Sequence, residues 1–167
     1  MSAPQPGISA TVPDWSREAR VRGEWDPGKA LLASIRDYQK HKGLRRRFAV
    51  LRHRFWSAVT GADIPLNAQI GGGLKIPHPN GIVIHPDARI GPNCLLFQQV
   101  TIGANGGFPT LGGHVDVGTG AKILGPITVG DHARIGANAV VLSDVPPGAT
   151  AVGVPARIIP PTGDTSQ

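Results

Sequence analysis

The sequence predicts a mainly β chain that coils over its second part into a β-helix, a prism of short parallel strands. Three observations carry that prediction. From Ile64 to Val145 an aliphatic residue returns at six-residue intervals. Four places after it stands a small or β-branched residue: Ala68, Ala88, Cys94, Val100, Val115, Ala121, Ile127, Ala133, Ala139 and Val145. Glycine often follows the aliphatic residue directly, as at Gly71, Gly91, Gly112, Gly118, Gly130 and Gly136. A hexapeptide period is the mark of a β-helix. Strands of two or three residues cannot bury a face alone, so coils stack and share one interior. The aliphatic first position fills that interior, the small fifth position leaves room near a corner, and glycine permits the bend. Three hexads make a coil of about 18 residues. A β-sandwich with Gly-rich turns keeps no such count.

Taken in order, residues 1–13 are rich in Pro, Ser and Ala and are expected to form a disordered tail. Residues 14–62 read as a helical segment. Asp14 is placed to cap a short helix through Arg22. Asp26-Pro27 is an N-cap followed by proline at the first helical position, opening a helix to about Lys42 that Gly43 stops. Leu31, Leu32, Ile35 and Tyr38 share its apolar face. A second helix from Leu44 to about Thr60 carries the stripe Leu44, Phe48, Leu51, Phe55 and Val59, with Arg45, Arg46, Arg47, Arg52 and Arg54 on other faces. That stripe is expected to dock on the chain's own domain. A basic amphipathic helix also suits a membrane surface.

Residues 63–159 form the β-helix. Its hexads run from Ile64 to Gly81, leaving Ile82 and Val83 outside the count, and from Ile84 to Thr101. Ile102 opens a hexad that the polar, Gly-rich stretch Gly103–Thr110 interrupts, and that stretch is expected to project as a loop. Counting resumes from Leu111 to Thr128 and from Val129 to Pro146. Residues 160–167 lack pattern and are expected to be a flexible tail.

Composition narrows the function classes. The 23 glycines and 16 prolines have structural posts in the hexads and do not signal disorder. The single cysteine, Cys94, forms no internal disulfide and suits a reducing compartment. It occupies a fifth position and is expected to be buried. No apolar run approaches membrane-spanning length and Met1–Pro13 lacks signal-peptide features, so a cytoplasmic protein is expected. The net charge of +6 is concentrated in the helical segment. It is either a solvated face or a surface for an anionic partner, a phosphate-rich cofactor or a membrane. No nucleic-acid motif accompanies it.

Among six histidines, His41 and His53 fall in the helices and are expected to face solvent. His132 and His114 hold fourth positions, with His132 pointing outward, and His85 holds a second position. His78 stands between two prolines in Ile76-Pro77-His78-Pro79-Asn80-Gly81. Read alone, such a histidine is a turn residue.

The phased hexads, closing with Gly153-Val154-Pro155-Ala156-Arg157-Ile158, resemble the hexapeptide-repeat acyltransferases. Within them the chain is most similar to the serine acetyltransferases. The matching words are Asp63-Ile64, Gln99-Val100-Thr101-Ile102-Gly103, Gly120-Ala121-Lys122-Ile123-Leu124-Gly125, Val140-Val141-Leu142 and Val145-Pro146-Pro147. The resemblance implies a left-handed parallel β-helix, an exception to the usual right-handed crossover. It also implies acetyl-CoA as co-substrate, no metal, and direct transfer of acetyl to an acceptor hydroxyl. The family's catalytic histidine matches His78, fifteen residues after an aspartate, and Asp63 and His78 hold that spacing. Five-sixths of an 18-residue coil separates them, so both can lie near one corner. A carboxylate on one imidazole nitrogen fixes the tautomer and leaves the other nitrogen to accept a proton.

The resemblance further implies a CoA groove between neighbouring prisms. Gly103, Ala104, Ala121 and Ala139 match positions along the pantetheine path, and Lys122 or Arg157 is placed to meet phosphates. Ala121 and Ala139 read equally well as core packing. The two helices look like a reduced form of the family's larger helical domain, and a homotrimer is expected rather than the family's hexamer.

Two departures stand out. The family places Asp before the catalytic histidine where this chain has Pro77, and an Arg-His pair before the loop proline where this chain has Gly107 and Phe108. Losing a bidentate carboxylate partner is not a conservative change. Serine and sugar acceptors therefore both remain open, the latter as in exopolysaccharide acetyltransferases. Pro77, Phe108 and His85 are candidate acceptor contacts. A zinc lyase of the γ-carbonic anhydrase type needs three histidines converging between subunits, for which His78, His85 and His114 are the candidates, but its His-x4-His spacing is absent. An inactive scaffold is the remaining class.

Overall fold

A computed structural model describes residues 7–161 of the chain. One turn of 3₁₀ helix, Trp15–Glu18, is followed by α1 (Pro27–Lys40) and α2 (Gly43–Thr60). Then come thirteen strands of two or three residues: β1 (Gln69–Ile70), β2 (Val83–Ile84), β3 (Arg89–Ile90), β4 (Leu95–Leu96), β5 (Thr101–Gly103), β6 (Thr110–Leu111), β7 (Asp116–Val117), β8 (Lys122–Leu124), β9 (Thr128–Val129), β10 (Arg134–Ile135), β11 (Val140–Val141), β12 (Thr150–Val152) and β13 (Arg157–Ile159). They stack as three sheets, the walls of a prism, in the orders β1-β3-β6-β9, β13-β12-β10-β7-β4 and β11-β8-β5-β2. All pairs are parallel except the last, where β13 folds back antiparallel on β12 with Ala151 opposite Ile158. That closing hairpin was not legible in the hexads.

Every first-position residue from Ile64 to Val141 is buried, and so are the small fifth positions. Ile84 pairs with Ile102, an 18-residue step. The coil below is longer, because Gln69 pairs with Arg89. The two extra residues are not Ile82 and Val83, as the count suggested. Ile82 is fully buried and Val83 sits in β2, paired with Thr101. The surplus lies between Ile76 and Ile82, so the corner carrying His78 bulges outward.

Two of the three corner columns turn through left-handed backbone at the fourth hexad position. One holds Asn93 (φ 61), His114 (φ 54) and His132 (φ 60), and another Gln99 (φ 60) and Asn138 (φ 56). Asparagine tolerates this region better than most side chains.

The start of the prism is sealed by α1. Asp26 caps it, its Oδ1 accepting from the Lys29 N–H at 2.9 Å, and Leu31, Leu32 and Ile35 join the core. Arg36 donates to the Ile70 and Gly71 carbonyls, both at 2.7 Å, and Gln39 to those of Leu66 and Ala68. Gly28 permits the approach, since a β-carbon there would run into the Ile76 carbonyl oxygen.

Two expectations for the first part of the chain are corrected. Residues 7–13 are not a free tail but an arm laid along the Asn93–His114–His132 column. The Asn93 side chain donates to the Ser9 and Val12 carbonyls at 2.7 and 2.8 Å and accepts from the Asp14 N–H at 2.7 Å. The rest of the expected tails, residues 1–6 and 162–167, lies outside the described residues. The helix expected from Asp14 to Arg22 ends after one turn because its side chains serve the prism instead. Arg17 Nε donates to Gly73 O at 2.7 Å, and Glu18 Oε1 accepts from the Gly73 and Leu74 N–H groups while pairing with Arg36 at 2.8 Å.

Candidate functional site

The bulged corner exposes His78 between exposed Pro77 and buried Pro79. Asp63 reaches the same corner from below: its N–H donates to Ile82 O at 2.8 Å and Gly81 N–H donates to Gly61 O at 3.1 Å. The spacing thus brings both residues to one corner of the prism. It does not join them within a single chain, since no hydrogen bond or ion pair among the described residues links the Asp63 carboxylate to the His78 ring. Both side chains are exposed, because the two extra residues push the corner away from the wall.

A cleft of about 510 Å³ reaches the near edge of this corner at Pro77, and neither His78 nor Asp63 is in its lining. Pro77 and Lys75 line one side, the arm contributes Ile8, the 3₁₀ turn contributes its cap Asp14 and Arg17, and the start of α1 contributes Asp26 and Lys29. Lys29 Nζ lies 3.5 Å from Asp26 Oδ2. Sequence reasoning used Asp26 only as a helix cap and read no role into Lys29 or Lys75. Nothing in the hexads signals that arm, helix and first coil meet there.

The projecting loop leaves Ala104 and Asn105 exposed and turns Phe108 back onto the prism. Phe108 stacks on His85, ring centroids 4.6 Å apart and planes 21° apart. The His85 ring also accepts from the Asp87 N–H at 3.2 Å, which turns it to the loop. Of the acceptor candidates, Phe108 and His85 therefore meet each other, while Pro77 belongs to the cleft.

The remaining histidines are structural. His53 is not solvent-facing: its Nε2 lies 2.8 Å from Ile64 O and ties α2 to the first coil. His41, half-buried, ends α1, its backbone N–H bonding Asp37 O. His114 is buried and shares an Nδ1–Nδ1 hydrogen bond of 2.8 Å with His132. Burial holds the His114 pKa below its usual value, against the pull of Asp116 and with further lowering from His132, Arg17 and Arg134. Within one chain no group of three or more His, Cys, Asp or Glu among the described residues is placed to hold a metal.

No family model matches the chain. Relatives do. A serine acetyltransferase of Helicobacter pylori (strain J99) is 45% identical over 152 residues, covering 83% of this chain and 88% of the relative. The chain belongs to the serine acetyltransferase family. The crystal structure of serine acetyltransferase from Brucella abortus strain S19 superposes with a TM-score of 0.73 at 35% identity, covering 83% of this chain and 59% of that one. A serine acetyltransferase solved in complex with CoA gives a TM-score of 0.70 at 39% identity over 80% of this chain and 57% of that one. The chain thus spans just under three-fifths of those solved chains. The prism is the parallel β-helix expected from the hexads, with the left hand that the resemblance implied, and the family is one of acyltransferases.

The candidate cofactor positions fall into two kinds. Ala121 and Ala139 are fully buried, so their side chains pack the core and only their backbone faces outward. Gly103, at the end of β5, is half-buried, and Ala104 beyond it is exposed. Lys122 Nζ donates to Gln99 O at 2.7 Å, which leaves two further N–H donors on the ammonium. Arg157 is exposed on β13 opposite Val152. Cys94 is buried with its thiol donating to Gly112 O at 3.3 Å, and burial pushes its pKa up to about 12. A buried protonated thiol is no nucleophile.

Proposed function

We propose that the protein is an acetyl-CoA-dependent O-acetyltransferase that acts on L-serine. The observation that carries this reading is the exposed His78 on a bulged corner, next in sequence to Pro77, which lines a cleft whose walls hold both cations and carboxylates. Such a cleft suits a small zwitterion: Lys75 and Lys29 offer charge to its carboxylate, Asp14 and Asp26 to its ammonium. That charge set supplies what the missing Arg-His pair of the loop does not.

His78 acts as general base. It takes the acceptor's hydroxyl proton as that oxygen attacks the thioester carbonyl; the tetrahedral intermediate then collapses, the C–S bond breaks, and the CoA thiolate leaves with a proton. Backbone N–H groups along a coil or in the Gly-rich loop are the natural oxyanion donors. Asp63 orients the ring once the corner closes on substrate, a contact that is often long in the empty site. CoA runs along the outside of the coils, meeting backbone at Gly103, Ala104, Ala121 and Ala139, with Arg157 near its phosphates. The working unit is a homotrimer, whose neighbouring prisms wall the groove, and a cytoplasmic setting fits its single, buried cysteine.

The test is thiol release from acetyl-CoA with L-serine, homoserine and a sugar panel. Saturable turnover with serine is expected, and His78→Ala should lose about a hundredfold or more while remaining folded. Near-normal turnover in that variant removes His78 from the mechanism. A second reading, a sugar acceptor, is favoured by the His85–Phe108 stack, which offers a flat platform where the family has its Arg-His pair. Turnover with sugars and none with serine decides for it.

A further inference from the structure

The stripe of α2 does not dock on its own domain. Leu44, Phe48, Leu51, Phe55 and Val59 are between 43% and 81% exposed. The helix packs through another face: Ala49 and Thr60 are buried, His53 bonds the first coil, and Trp56 packs against the core. On a 3.6-residue wheel Arg47 and Arg54 flank the stripe on one side and Arg45 and Arg52 on the other. Arg45, Arg47 and Arg54 are exposed, while Arg52 pairs with Asp37 at 2.6 Å. The helix contains no Asp or Glu. At its far end Trp25, 73% exposed, rests against Trp56 with ring centroids 5.6 Å apart, and Phe55 lies 5.0 Å from Trp56. A continuous exposed apolar face of this kind marks an interaction site.

Charge decides the occupant. A second copy docked by a twofold axis would set one row of arginines against another, with no carboxylate on either helix to answer them. A spanning role is excluded for these helices, since none among the described residues is long and apolar enough to cross a membrane. We propose that the outer face of α2 docks on an anionic phospholipid bilayer, with the helix lying in the interface plane. The apolar stripe enters the acyl boundary, the flanking arginines extend along their stems to the headgroup phosphates, and Trp25 sits at headgroup level. This surface is independent of the acyl-transfer reading.

The experiment is co-sedimentation of the full chain with phosphatidylcholine vesicles, alone or with about a third phosphatidylglycerol, across a salt series. Binding is expected only with the anionic lipid, and it should weaken steeply with salt. Trp25 emission should shift to the blue on binding, a shift absent from Trp25→Phe. Phe48→Ser with Phe55→Ser should weaken binding at least tenfold, and Arg45→Gln with Arg47→Gln and Arg54→Gln by about a hundredfold, from roughly fivefold for each basic residue at an anionic surface. Both variants should keep the parent's circular dichroism and unfolding temperature, because these side chains are exposed. The proposal is overturned by failure to bind anionic vesicles, by equal binding to neutral ones, or by unchanged binding in the Phe48→Ser, Phe55→Ser variant. It is also overturned if light scattering shows an assembly that dissociates in that variant, to half or to a third of its mass, which would assign the face to another copy of the chain.

Discussion

Replacing Asn93 by alanine tests how the arm is held. The side chain is fully buried and makes three hydrogen bonds, to Ser9 O, Val12 O and the Asp14 N–H. At about 1 kcal/mol net for each, their loss costs roughly 3 kcal/mol. The backbone adds to this. Asn93 sits at φ 61, and alanine there costs on the order of 1 kcal/mol more than asparagine or glycine. Asn93→Ala should therefore lose about 4 kcal/mol of arm attachment and Asn93→Gly about 3. The loss is local, because an arm that lifts off regains water for its carbonyls while Arg17 and Glu18 still grip the first coil. Global unfolding will thus underreport it. Hydrogen exchange at the Asp14 N–H reads it directly: a 3 kcal/mol loss speeds exchange by about two orders of magnitude. Unchanged protection of residues 7–14 in both variants refutes the latch. Equal exchange in the alanine and glycine variants refutes the backbone contribution.

Two further outcomes are expected. Cys94, with its pKa near 12, should resist iodoacetamide at pH 8 in the native protein and react promptly in denaturant, and Cys94→Ala should keep acetyl transfer; stoichiometric native labelling or loss of turnover would overturn the reading of Cys94 as an inert buried thiol. His114, whose folded pKa is lowered, binds fewer protons folded than unfolded, so its contribution is full above the unfolded value near 6.5 and is lost as pH falls through the folded one. Urea midpoints should accordingly drop between pH 7 and pH 5, and the drop should shrink in His114→Asn, which tolerates φ 54; identical slopes in the two proteins would assign the acid sensitivity elsewhere.

Much of the prism was legible because its rule is one-dimensional. Each coil repeats the one below, so an interior residue announces itself by its count, and every aliphatic first position is buried as counted. The count failed where a corner lengthened. An inserted pair can be placed anywhere in the hexad without breaking the period above it, and only the stacking of Ile82 on Val100 located it beside His78. The stripe on α2 failed for a related reason. Periodicity identifies an apolar face but not its partner, and here Ala49, His53 and Trp56 make the contact instead.

The sequence by itself determined the hexapeptide prism, the family, the two helices with their cap at Asp26, and His78 with Asp63 as residues sharing a corner. Those are properties of spacing, and spacing is written along the chain. Only the tertiary structure decided that the arm lies in the Asn93 column, that arm, α1 and first coil enclose a charged cleft beside Pro77, that Phe108 covers His85, and that Asp63 and His78 do not touch in one chain. Each of these joins segments whose separation in sequence follows no period, so the meeting depends on how corners bulge and side chains reach across them.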